Sequence, residues 1–132
     1  RPTVWLGYAE SLFLKAEAVL RGWTGAEINN SVEGYFKAGI QASMDYYQIS
    51  QAEATSYIDG LKIYQEGETN PFSGSDKEAI LEQIITQKWM AVFPNGNEGW
   101  ADFRRTDWQI NLPIIRGEVF LTGNISNVFY IR

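Results

Sequence analysis

Cysteine and histidine are both missing from the 132 residues. Their absence removes disulfides, zinc sites built on thiolate or imidazole, the Ser-His-Asp triad, the Cys-His dyad and histidine acid–base chemistry. It leaves the redox compartment open. Basic residues are also scarce, with 11 Lys and Arg against 16 Asp and Glu and a formal net charge of −5. Surfaces for nucleic acid or anionic lipid need a local excess of cations, so this deficit argues against both partners. No apolar run approaches the ~18 residues of a membrane span. The N-terminal Arg1-Pro2-Thr3-Val4-Trp5 lacks the cationic-then-apolar order of a signal peptide.

What is present is a globular composition. At 45% hydrophobic and 14% aromatic, the chain can fill one core, and a domain of this size buries about two-thirds of its unfolded surface. The chain starts abruptly at Arg1 and ends on the strand-like Val128-Phe129-Tyr130-Ile131-Arg132. We read residues 1–132 as a single domain or as the C-terminal fragment of a larger one.

Hydrophobic spacing predicts a mainly α fold. A first helix spans about Trp5 to Arg21, with Ala9, Leu12, Phe13, Ala16 and Leu20 on one face and Gly22 placed to stop it. A second spans about Ala26 to Tyr47, its stripe carrying Tyr35, Phe36, Gly39, Ile40, Ser43, Met44 and Tyr47. Glycine inside a helix costs about 1 kcal/mol relative to alanine, so Gly39 on that stripe implies a close-packed neighbour. The two helices should form an antiparallel hairpin. Ser50-Gln51-Ala52-Glu53 reads as a capping box opening a third helix that ends by Gly67. Ser75-Asp76-Lys77-Glu78 reads as another, opening a fourth with Leu81, Ile84, Ile85, Lys88, Trp89 and Val92 in register until Pro94 breaks it.

Two helical hairpins thus occupy residues 1–93, and a motif turn with an extended tail occupies 94–132. Within the latter, Glu98 to Arg105 fits a short helix. The runs 110–115, 118–121 and 128–131 fit short strands in a loop-rich segment. Twelve of the sixteen acids fall in residues 1–82, which assigns the acidity to the helical faces.

Few residues suggest chemistry. Glu98 and Asp102 are spaced to share a helical face near Trp100 and Trp108, as a carboxylate pair in a glycosidase would be. Beside Arg104 and Arg105 the same acids read more strongly as a solvated or salt-bridged surface. Those arginines are too few for a nucleic-acid patch and suit structural pairing with helix-end carbonyls or neighbouring acids. The five Trp and seven Tyr are more suggestive, because sugar rings present apolar C–H faces that stack on flat aromatics. Trp89, Tyr35 and Tyr47 sit on stripes and read as core. Trp23 and Trp108 lie in loops and are the candidate glycan contacts, each weighed against a Trp that merely covers a helix end.

Three segments together resemble a known family. Tyr8-Ala9-Glu10-Ser11-Leu12-Phe13-Leu14-Lys15-Ala16-Glu17-Ala18 and Tyr35-Phe36-Lys37-Ala38-Gly39-Ile40-Gln41-Ala42-Ser43-Met44 are similar to the C-terminal half of SusD/RagB outer-membrane lipoproteins of Bacteroidetes. The most specific segment is Ile84-Ile85-Thr86-Gln87-Lys88-Trp89-Met90-Ala91-Val92-Phe93, followed by Asn95-Gly96 and Glu98-Gly99-Trp100-Ala101-Asp102-Phe103-Arg104-Arg105-Thr106. It resembles that family's helix-and-turn motif in order and spacing.

The resemblance implies tetratricopeptide-like hairpins and an oligosaccharide-binding, non-enzymatic subunit with no cofactor or metal. It also implies a SusC-like TonB-dependent transporter as partner in glycan uptake. The protein would sit on the outer-membrane cell surface through an N-terminal lipid anchor that lies outside this chain. Trp89, Trp100, Arg104 and Arg105 would be scaffold, and no sugar contact transfers by motif. The alternative is a free-standing tetratricopeptide-like module that binds protein segments between its hairpins.

Overall fold

The structure is a computed structural model that describes residues 6–25 and 28–106. Within them are five α-helices: α1 (Tyr8–Leu20), α2 (Val32–Tyr46), α3 (Gln51–Asp59), α4 (Lys77–Ala91) and α5 (Gly96–Thr106). Short 3-10 turns at Lys62–Tyr64 and Pro71–Ser73 join α3 to α4. The described residues are mainly helical, and α1 packs on α2 as the expected hairpin. The proposed strands at 110–115, 118–121 and 128–131 lie outside the described residues.

Helix ends follow local chemistry. α1 closes as the glycine spacing predicts: Gly22 takes φ 78°, and the amides of Gly22 and Trp23 donate to the carbonyls of Val19 and Ala18, satisfying groups the helix leaves unpaired. α2 starts later than Ala26. The Ser31 hydroxyl accepts from the Gly34 amide, and a side-chain cap of this kind outweighs an apolar residue as a starting signal. At the other end Gln48 takes φ 61°, and the Ile49 amide donates back to the Met44 carbonyl.

The predicted box at Ser50 forms completely, Ser50 and Glu53 each accepting from the other's backbone amide. The helix it opens ends at Asp59, before Gly67, and passes into the 3-10 turn. The second predicted box is replaced by a simpler cap in which Asp76, one residue after Ser75, accepts from the amides of Glu78 and Ala79. A carboxylate there also faces the positive end of the helix dipole.

The core lies where α1, α2 and α4 meet. Leu12, Phe13 and Ala16 pack against Tyr35, Phe36 and Ile40, and Ile58, Ile80 and Ile84 close the cluster. Phe36 also stands edge-on to Phe13 and against Phe72 of the second 3-10 turn, with ring centroids 6.4 and 4.8 Å apart. The apolar Phe72 thereby ties the connecting loop to the core. α4 buries residues on two flanks: Ile80 and Ile84 join the main cluster, while Leu81 and Ile85 pack on Leu20 and Trp89.

Two glycines explain close approaches. A Cβ on Gly39 would stand 2.8 Å from the Phe13 ring, and one on Gly99 2.9 Å from Trp89. The first is the tight α1–α2 contact the sequence implied. The second lets α5 lie against α4.

Because Phe13 is buried on all sides while Trp89 is only partly covered, Gly39→Ala should destabilise the fold by about 1–3 kcal/mol. Gly99→Ala should cost less, since the indole can swing outward. Urea unfolding of the two variants checks the order.

Candidate functional site

An ionic cluster with a buried centre and two half-exposed arginines holds α5 against α4 and α1. Lys88, only 3% exposed, extends from α4 between two acids: its Nζ lies 2.7 Å from Asp102 Oδ2 on α5 and 3.6 Å from Glu10 Oε1 on α1. The shorter contact is an ion pair rather than an aligned hydrogen bond. Arg105, one turn beyond Asp102, donates to both oxygens of Glu17 on α1 and, at 2.9 Å, to Asp102 Oδ1. Arg21 Nε adds a bond of 2.8 Å to Glu17.

Three carboxylates therefore face three cations, and the cluster is neutral as a whole. Burial alone pushes the Glu17 carboxyl up, but the Arg105 and Arg21 guanidiniums outweigh it and hold it below the usual carboxylate range. The Glu17 carboxylate in turn raises Arg105, against the opposing effect of burial, with Asp102 helping.

This cluster decides the fate of the carboxylate pair. Asp102 is buried and both its oxygens are engaged, whereas Glu98 is half-buried. The arrangement is structural pairing, though within the interior rather than on a solvated surface. Arg105 takes the structural role expected, and Arg104 is exposed. Trp100 is half exposed and stacks on Phe103, with ring centroids 5.4 Å apart.

Glu10, at one edge of the cluster, also lines a cavity of about 230 Å³. The walls come from the start of α1, the last turn of α2 and the Phe93-Pro94-Asn95 segment after α4. Its aromatic members are Tyr8, Tyr46, Tyr47 and Phe93, between 53% and 75% exposed. Ser43 and Asn95 supply uncharged polar groups, and Ala9, Ala42 and Ala91 line the remainder.

Tyr47 was expected in the core. It is instead half exposed, because α2 ends at Tyr46 and the chain turns there, and its hydroxyl donates to the Phe93 carbonyl at 3.1 Å. That bond joins two walls of the cavity. The Tyr46 and Tyr47 rings meet edge to face, 5.2 Å apart at 89°.

The loop tryptophans fare differently. Trp23 is 65% exposed and follows the far end of α1, about 20 Å along the helix from Tyr8. It lines neither this cavity nor a neighbouring one between α1, α2, α3 and α4. Trp108 lies outside the described residues. The cavity aromatics had a signal in the sequence after all: Tyr8, Tyr46 and Phe93 sit at helix ends, off the stripes that explain the other rings.

The model of a SusD-like family, described as starch-binding and associating with the outer membrane, matches residues 1–118 of the 132. This chain belongs to that family. No curated protein matches it. The SusD-like motif now has a physical content, because its Lys88, Gly99, Asp102 and Arg105 are the residues that clamp α5 onto α4 and α1.

Since Glu17 is held below its unfolded value of about 4.3, its contribution is complete above that pH and lost as pH falls through the lower folded value. Arg105→Met should therefore destabilise the fold near neutrality, and the gap to the parent should narrow as pH falls below about 4.3. Lys88→Met, which leaves Asp102 and Glu10 buried without that ammonium, should cost about 3 kcal/mol. Urea midpoints across that pH range check both.

Proposed function

We propose that this chain is part of the oligosaccharide-binding subunit of an outer-membrane glycan-uptake system, working beside a SusC-like TonB-dependent transporter. The observation that carries this reading is the family match over residues 1–118, whose description joins starch binding to the outer membrane. The physical make-up agrees with it. Helices clamped by a neutral ion cluster with a buried centre make a rigid scaffold, and the exposed aromatics at the cavity offer stacking faces without covalent chemistry. No described helix is long and apolar enough to cross a membrane. The proposed attachment, taken from the family resemblance, is a lipid anchor on the N-terminal part of the protein. The subunit acts by binding and presentation, not by bond cleavage, with Asp102 already committed to Lys88 and Arg105.

The protein expressed from its full gene should bind at least one oligosaccharide in a calorimetric panel, release no sugar from it, and co-purify with a TonB-dependent transporter. Failure to bind any glycan, with capture of a peptide or protein instead, would replace this reading with the free-standing interaction module.

A further inference from the structure

The cavity walled by α1, the end of α2 and Phe93 to Asn95 joins a rim of exposed rings to a lining that, among the described residues, holds no cation. We propose that it is a subsite for one uncharged pyranose ring, which rests on the glycan-binding reading and adds where on this chain a sugar sits and which sugars it refuses.

Size sets the first limit. A cavity of about 230 Å³ lies under the ~300–1,000 Å³ of sites that enclose drug-sized ligands. A single ring enters and the rest of the oligosaccharide stays outside.

Chemistry sets the second. Tyr8, Tyr46 and Phe93 are each more than half exposed, so their faces are not consumed by the core and remain available to the C–H face of a sugar. Tyr47 is a positioning residue, its hydroxyl spent on the Phe93 carbonyl. Gln48, immediately after it, holds a left-handed backbone (φ 61°) that side chains other than glycine rarely adopt. Such outliers recur where a fold must aim particular groups, and here the turn ends α2 at the rim. Ser43 and Asn95 face the same space and suit sugar hydroxyls, which both donate and accept.

Charge sets the third. Glu10 is the acid in the lining, and no Lys or Arg is among the described lining residues. Lys88, the nearest partner of Glu10, is buried and shared with Asp102. A uronate or sulfated ring would shed its hydration beside Glu10, whose own counter-ion Lys88 is already shared with Asp102, and no cation of the described lining would receive its charge, a cost that selects for neutral sugars.

The protein expressed from its full gene, with alanine methyls 13C-labelled, reports on the site through Ala9, Ala42 and Ala91, with Ala54 of the core as reference. Titration with maltotriose, mannotriose and xylotriose should shift the three cavity methyls for at least one sugar, and trigalacturonate should leave them in place. The double variant Tyr46→Ala/Phe93→Ala, both exposed positions, should weaken that response about tenfold or more while Ala54 is unmoved. Binding of a neutral sugar with the cavity methyls unmoved would overturn the subsite and leave the glycan-binding reading intact. An equal response to trigalacturonate would overturn the selectivity argued from Glu10. No binding of any sugar would overturn both readings together. Should the double variant fail to fold, the shift pattern of the parent protein decides by itself.

Discussion

Lys88 is a cation at the centre of a protein interior, and its position constrains three helices at once. An ammonium taken out of water costs several kcal/mol unless partners surround it, so α1 must bring Glu10 and α5 must bring Asp102 to within ion-pair range. Asp102 is then held on its other side by Arg105, which reaches Glu17 about two turns further along α1. The result is a chain of charges, each buried member meeting an opposite partner, that fixes both the docking of α5 and its register on α1. A hydrophobic contact in the same place would tolerate sliding. Paired charges do not, because each displaced partner leaves another buried and alone.

That fixed register has a consequence for the cavity. Glu10 belongs to the cluster and to the cavity wall, and the segment after α4 that carries Phe93 is positioned by the same helix that carries Lys88. The apolar core sets the other two walls, since the close Gly39–Phe13 approach draws the start of α1 and the end of α2 together. A rigid, electrically neutral scaffold is suited to presenting aromatic faces with little ordering cost on binding.

Much of the architecture was legible from local patterns. Apolar stripes named the buried faces of α1, α2 and α4, the Ser50 box and Gly22 marked helix ends, and the glycine on the α2 stripe announced a close neighbour. The misplacements have particular causes. Ser31 captured the start of α2 because a side-chain cap satisfies an amide that Ala26 could not. Tyr47 lies on the extrapolated stripe but just past the last helical residue, so its ring turns outward. Asp76 displaced Ser75 because its carboxylate reaches two free amides. Trp23, a candidate glycan contact for its place in a loop, stays exposed there, at the opposite end of α1 from the cavity.

Sequence by itself determined what is periodic or local: which faces are apolar, where helices can start and stop, the absence of thiol and imidazole chemistry, and the motif of the SusD-like family. Whether Lys88 and Asp102 were surface charges or an interior clamp was decided only by tertiary structure, since Glu10, which meets Lys88, and Glu17, which meets Arg105, lie some 80 to 90 positions away in the chain and no spacing rule links those pairs. The cavity belongs to the same class. Tyr8, Tyr46 and Phe93 are remote in sequence and become neighbours because three helix ends converge, which is a property of packing and not of pattern.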